Sequence, residues 1–279
     1  KSSRGLNLYG PLALDSLTGS IAPGHHTYDA TVDLTRTGIE WEWWFKKAPG
    51  IGARLEKLHF DLKPGKSATL TMLAALDTIE IDTKASLTHR SGKWKLDDLK
   101  ATSANVSMGT ANKVLVFPYV ISGGTGTEAY LHWLQKSQSP EVIELTIGGI
   151  IDELSMLPAG AKQPITGKNV RVDTTVLKSG EERTGFLTLH TTSADLPPFG
   201  TRWLLPLRAE DDPSMAAYPP LDRDWTYTLS ADNLVYPPWR GTAFSGKAYT
   251  RKRESGFERF EARIDEGKIG GVYASTNPD

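Results

Sequence analysis

The sequence predicts an all-β protein, and three observations predict it. Short runs rich in Val, Ile, Thr, Leu and aromatic residues show period-two alternation, Gly, Pro, Asn or Asp separate them, and no long amphipathic helical pattern interrupts the series. Strands at this spacing point to sandwiches or barrels. A chain of 279 residues has room for one large β-domain or two medium ones. Composition shifts at Ser122-Gly123-Gly124-Thr125-Gly126, which divides the chain into an expected N-terminal β-domain, 1–121, and an expected C-terminal β-domain, 127–279. The alternative is a long hairpin loop inside one enlarged jelly roll.

Taken in order, residues 28–34 alternate as a first strand and 39–45 as a second, with Ile39, Trp41, Trp43 and Phe45 on one face and Glu40, Glu42 and Trp44 on the other. Residues 54–62 turn through Lys63-Pro64-Gly65-Lys66 into 68–76, a hairpin by its turn residues. Residues 79–89 pass through Arg90-Ser91-Gly92-Lys93 into 94–101, and 105–108 through Gly109-Thr110 into 113–120. Further strands are expected at 128–135, 141–148, 169–177, 183–191, 201–207, 225–230, 243–253 and 257–264, with 150–157 the best helical candidate, and a short one. Leu196-Pro197-Pro198-Phe199-Gly200, Tyr218-Pro219-Pro220-Leu221 and Tyr236-Pro237-Pro238-Trp239 read as long loops, the kind of segment that carries sites on a β-scaffold.

Composition removes whole classes of function. Lys and Arg total 32 against 33 for Asp and Glu, so no global field gathers nucleic acid or an anionic membrane. Apolar runs fall far short of the roughly 20 residues of a membrane-spanning helix. There is no cysteine, hence no disulfide, thiolate nucleophile or zinc-cysteine site. No Walker loop, dinucleotide fingerprint or nucleophile elbow occurs, and Gly123-Gly124-Thr125-Gly126 opens no helix that could cradle a phosphate. Neither a cofactor nor a metal is expected. The opening Lys1-Ser2-Ser3-Arg4 reads as a trimmed or processed start.

The most informative stretch is Ile39-Glu40-Trp41-Glu42-Trp43-Trp44-Phe45, where three tryptophans bury a large area and two carboxylates share the opposite face. That face is either solvated or the wall of a polar cavity. The run Glu42 to Phe45, early in a long all-β chain with a two-domain division, resembles the tandem lipocalin-like superfamily of carotenoid 1,2-hydratases (hydroxyneurosporene synthases) and fungal Diels-Alderases. In that superfamily a similar aromatic run lies on an early strand of the first barrel, near a cavity between two barrels; here it continues as Phe45-Lys46-Lys47. The resemblance implies two lipocalin-like β-barrel or sandwich domains in tandem. It also implies a cofactor-independent, Diels-Alderase-like cyclase or isomerase acting on an elongated apolar polyene or polyketide. Trp41, Trp43 and Trp44 would shape the cavity, Tyr130, Trp203, Trp225 and Trp239 would add to its wall, and Glu42, His132 and Arg202 would be the catalytic anchors.

Other constellations admit two readings each. His132 shares a strand face with Tyr130 and is either a general acid or base or a hydrogen-bonded structural histidine. Adjacent His25 and His26 point apart on an extended chain and need outside ligands to hold a metal. Arg202-Trp203, Asp222-Arg223-Asp224-Trp225 and Trp239-Arg240 set aromatics beside charges, either to bind a carbonyl above an apolar ligand or as ion pairs beside core tryptophans. Glu40 and Glu42, two apart on a strand and so roughly 6 to 7 Å apart, keep open a carbohydrate-active jelly roll. A non-catalytic carrier of a hydrophobic ligand is the third reading. Arg251-Lys252-Arg253 has acidic residues across its expected hairpin, so cross-strand ion pairing is the better reading of that basic run. The expected partner is an apolar small molecule.

Overall fold

The structure is a computed structural model that describes residues 7–41, 45–114, 119–138, 141–158, 163–180, 182–196, 224–236, 239–251, 254–264 and 267–276. Among the described residues it is all-β apart from one short helix. The chain forms two compact units, Lys1–Val116 with Thr127–Thr146, and Phe117–Gly126 with Ile147–Asp279. None of the described helical residues forms a helix long and apolar enough to cross a membrane.

In the first unit a three-stranded sheet is built from β1 (Asn7–Tyr9), β4 (Gly38–Trp41) and β5 (Phe45–Lys47), in the order β1-β4-β5. The large sheet holds β2 (Ala13–Ala22), β3 (His25–Asp33), β6 (Ala53–Lys63), β7 (Ser67–Leu76), β8 (Ile79–Arg90), β9 (Lys93–Ser107) and β11 (Thr125–Gln138), neighbours in that order. Alternation along the strands sorts residues into rows. Tyr28, Phe60, Leu70, Ala85 and Leu99 stand opposite one another across β3 to β9 on one face, and Thr27, Asp61, Thr69, Ser86 and Asp98 form the adjacent row on the other.

A hydrophobic cluster of this unit forms a corner where Ala53, Leu76 and Val114 are buried together, with Leu34, Phe45, Ile51 and Ile81 against them. Val114 comes from α1 (Met108–Val114), in a stretch whose sequence reads as a hairpin. The expectation is corrected by local chemistry: the Ser107 hydroxyl accepts the Thr110 amide, an N-cap bond, and Met108, Ala111 and Val114 bury one stripe at helical spacing. Asp77 closes the β7–β8 turn at φ 53°, and its carboxylate takes the Lys113 ammonium at 3.0 Å and the Thr110 hydroxyl at 3.2 Å, tying the helix to that turn.

Lys47 is fully buried at the same corner. Its ammonium donates to the carbonyls of Leu34 and Thr37 at 2.9 Å each and of Thr35 and Ala48 at 3.3 Å each. Burial pushes the amine below its ordinary pKa, and the nearby Asp33 carboxylate opposes that.

The second unit contains β10 (Tyr119–Gly123), which pairs with the end of β12 (Glu141–Pro158), a strand that belongs to this unit from Ile147 onward, followed by β13 (Ile165–Ser179), β14 (Glu182–Asp195), β15 (Asp224–Tyr236), β16 (Trp239–Arg251), β17 (Glu254–Ile264) and β18 (Gly267–Thr276) in sequence order. Residues 150–157, the helical candidate, are strand: Val120 opposes Leu157 and Ile121 opposes Met156, so pairing with β10 overrides a short helical pattern. The glycine stretch holds a tight corner, with Gly124 at φ +116° where any Cβ would overlap the Glu153 carbonyl. β10 with β12, β13 with β14, β15 with β16, β16 with β17 and β17 with β18 pair antiparallel, whereas β14 and β15 pair in parallel. The Lys247 ammonium lies 2.7 Å from Glu258 across β16 and β17, and Arg251 3.9 Å from the same carboxylate.

Of the expected barrel or sandwich domains, no barrel closes among the described residues. Closure needs the strand path to return to its start. Instead β2 pairs with β3 alone and β18 with β17 alone, leaving an open edge in each unit.

Two outcomes follow. Lys47→Met takes the donor from the buried Thr37 carbonyl, while the carbonyls of Leu34, Thr35 and Ala48 keep the amides of Thr37, Gly50 and Ile51, and is expected to destabilise the protein by about 1 to 3 kcal/mol, read as a lower urea midpoint at unchanged slope. Lys113 and Thr110 hold the Asp77 carboxyl below its ordinary 3.8, so its stabilisation is complete above that value and is lost as pH falls through the lower folded value. Asp77→Asn is therefore expected to flatten part of the acid limb of a stability-versus-pH curve and leave its neutral shape unchanged.

Candidate functional site

The tryptophan-rich run is not one strand. Trp41 at the end of β4 pairs with Phe45 at the start of the antiparallel β5, so the expected single strand from Ile39 to Phe45 does not form. Glu42, Trp43 and Trp44 lie outside the described residues, as does the side chain of Trp41. Glu40 stands opposite Lys46 and makes an ion pair with it at 3.2 Å. What the sequence does put beside this pairing is the packed corner, through Phe45 and Lys47.

His132 and Tyr130 lie on β11. The His132 Nε2 is 2.8 Å from the Asp98 carboxylate on β9, whose other oxygen is 3.8 Å from Lys100. Asp98 belongs to the row of hydroxyls and carboxylates, so this histidine stands on the polar face of its sheet, held in orientation by a carboxylate. Two more histidine–carboxylate pairs occupy that face, His59 with Asp29 at 2.8 Å and His25 with Asp61 at 3.0 Å. No three metal-ligating side chains converge among the described residues.

An aromatic face forms in the second unit. Trp225 and Tyr227, two apart on β15, stack with ring centroids 6.0 Å apart and planes 18° from parallel. Opposite Trp225 on β14 is Gly185, where a Cβ would overlap the indole. Tyr227 opposes Ala248 and Leu229 opposes Gly246 on β16, and those small residues in turn oppose Phe257 and Phe260 on β17, whose rings meet edge to face at 5.8 Å. Trp225 leans over Gly185 and Phe257 over Gly246, residues too small to compete for the space, and the two ring pairs lie in register across three strands, β15 to β17, as an aromatic strip. Burial pushes the Tyr227 phenol above its ordinary value while the Thr250 hydroxyl pulls the other way, so the group keeps its O–H at neutral pH.

Of the expected wall residues, Trp225 is therefore in this strip. Trp239 opens β16 opposite Tyr236, with its side chain outside the described residues. Arg202 and Trp203, and the expected strand 201–207, are also outside them. Sequence reading missed Tyr227, although the alternation Trp225-Thr226-Tyr227-Thr228-Leu229 signalled it. It also missed Gly185, whose role depends on which strand is its neighbour.

On the opposite face His190 Nδ1 is 2.9 Å from the Ser230 hydroxyl, and its Nε2 is 4.0 Å from Asp232. The second distance exceeds hydrogen-bond range, so the carboxylate does not orient the ring as a serine nucleophile would require.

Comparison with known proteins finds no match to a family model, a curated protein or a solved structure.

Gly185→Val is expected to displace Trp225, giving a red-shifted tryptophan emission and a loss of about 1 to 3 kcal/mol in chemical denaturation. Wild-type emission with wild-type stability would contradict the packing described.

Proposed function

We propose that this chain is a lipocalin-like protein that binds an elongated apolar molecule, a polyene or polyketide, and promotes its cofactor-independent cyclisation or isomerisation in the manner of a Diels-Alderase. The observation that carries the binding part is the strip of Trp225, Tyr227, Phe257 and Phe260 over Gly185, Gly246 and Ala248. A flat, conjugated chain matches such a surface in shape and polarity. The cyclase part is supported by the resemblance of the Glu42 to Phe45 run to the tandem lipocalin-like superfamily. Holding a flexible chain in a near-attack shape supplies several kcal/mol of the barrier without any cofactor. A phenol that stays protonated, as Tyr227 does, is a donor suited to polarising a carbonyl as bonds form.

A carrier function for the same ligand class is the second reading. Its support is the side-chain inventory of the strip, where the described polar groups in register with Trp225 and Tyr227 are the hydroxyls of Thr174, Thr250 and Tyr227 itself rather than acids or bases that titrate near neutrality. Glycoside hydrolysis has less support, because the Glu40 carboxylate is engaged by Lys46.

Native mass spectrometry of freshly purified protein, followed by organic extraction, is expected to yield a bound polyene, polyketide or terpenoid. A conjugated tetraene fatty acid should quench tryptophan emission on binding, and Trp225→Ala should weaken it by about tenfold or more. Tyr227→Phe should leave binding within about threefold and lower turnover of an extracted precursor by about tenfold or more. A precursor that returns unchanged from long incubation would leave the carrier reading, and Trp225→Ala binding like the wild type would sink both.

A further inference from the structure

β2 is an edge strand of a kind that β-proteins ordinarily defend. All ten of its residues are exposed, β3 is its one partner among the described strands, and Leu17 and Ile21 are 58% and 72% exposed. Natural edges are blunted by lysine, proline, bulges or inward charge. Here the register shift between Leu14 and Ser16 sits at one end, the prolines Pro11 and Pro23 lie just outside, and the single charge, Asp15, is taken up by Arg54 at 2.6 Å. From Ser16 to Ala22 the edge is uncharged and regular, with each residue in unbroken register with β3.

The order of residues along that edge is self-complementary. Leu17, Gly19 and Ile21 lie on the face of Ala30, Tyr28 and His26, while Ser16, Thr18 and Ser20 lie on the face of Thr31, Asp29 and Thr27. If a second copy pairs antiparallel about a twofold axis through Gly19, Leu17 of each copy stands opposite Ile21 of the other. Thr18 then stands opposite Ser20, and glycine meets glycine on the axis. Apolar side chains face apolar ones, hydroxyls face hydroxyls, and no like charges are opposed. The Tyr28 ring lies over Gly19, where a Cβ would overlap it, so the centre of the edge is flat and the ring adds apolar surface next to the axis. Main-chain hydrogen bonds supply the affinity and the alternating side chains supply the register, as in β-strand addition.

We infer that β2 is a homodimerisation edge, pairing antiparallel with β2 of a second copy in the register that sets Leu17 against Ile21. A single strand pair is at the small end of stable interfaces, so the dimer is concentration-dependent.

Sedimentation velocity over a roughly hundredfold range of protein concentration tests this, with circular dichroism of each variant as the control for folding. The wild type is expected to move from monomer to dimer and stop there. Ile21→Lys should shift the midpoint to at least about tenfold higher concentration, and so should Leu17→Glu. The double variant Leu17→Glu/Ile21→Lys should regain dimerisation, because in this register each new carboxylate meets the other copy's new ammonium, and the regain should vanish in high salt. A monomer at every concentration, a dimer indifferent to Ile21→Lys, a double variant no better than the singles, or open-ended growth past the dimer would each overturn the proposal.

Discussion

The ammonium of Lys47 draws four backbone carbonyls from three places in the chain, the loop after β3, the residue before β4 and the residue after β5. A buried ammonium is costly unless such acceptors replace its hydration. The loop around Asp33 and Thr37 is therefore fixed in place, helped by the Thr35 amide donating to Asp33 at 2.7 Å and the Thr37 hydroxyl donating to the Pro11 carbonyl at 2.7 Å. This links the small sheet that carries Trp41 and Phe45 to the ends of β3 and β6. Through Phe45 the same knot reaches Ala53, Leu76 and the helix residue Val114, the described core of this unit.

Away from that corner the units are organised by alternation. The clearest rows run across β3 to β9, where Tyr28, Phe60, Leu70, Ala85 and Leu99 oppose one another on one face and Thr27, Asp61, Thr69, Ser86 and Asp98 on the other. Chemistry is thus divided by face: His25, His59 and His132 with their carboxylates on the polar face of one unit, Trp225, Tyr227, Phe257 and Phe260 on the apolar face of the other. The apolar strip depends on glycine and alanine at the crossing points as much as on the rings. Valine at Gly185 would deny the indole its seat however favourable valine is in a strand.

Much of this was legible beforehand. Strand positions from β6 to β9 and from β13 to β17 follow from period-two alternation and from turn residues such as Pro64-Gly65 and Ser91-Gly92, because those signals are local. The misreadings share a cause. The run from Ile39 to Phe45 looks like one strand because its composition is that of a strand, and nothing local announces that Trp41 and Phe45 pair with each other. Residues 108–114 look like a turn because of Gly109-Thr110, yet the Ser107 cap and a buried stripe make them helical. Residues 150–157 are strand, and β10 pairs with their C-terminal part, Ser155 to Leu157.

The sequence by itself determined that the protein is all-β, without thiol chemistry, and built from strands whose two faces differ in polarity, since all of these depend on residue type and on neighbours within a few positions. Only the tertiary structure decided which strands are neighbours. That choice set Gly185 under Trp225, engaged Glu40 with Lys46, placed His132 on a polar face, made β14 and β15 parallel, and left β2 as an edge. The reason is physical: pairing between strands is a long-range contact whose partner is not encoded at the position itself, so the same alternating stretch becomes a wall, a core or an edge according to what the rest of the chain brings beside it.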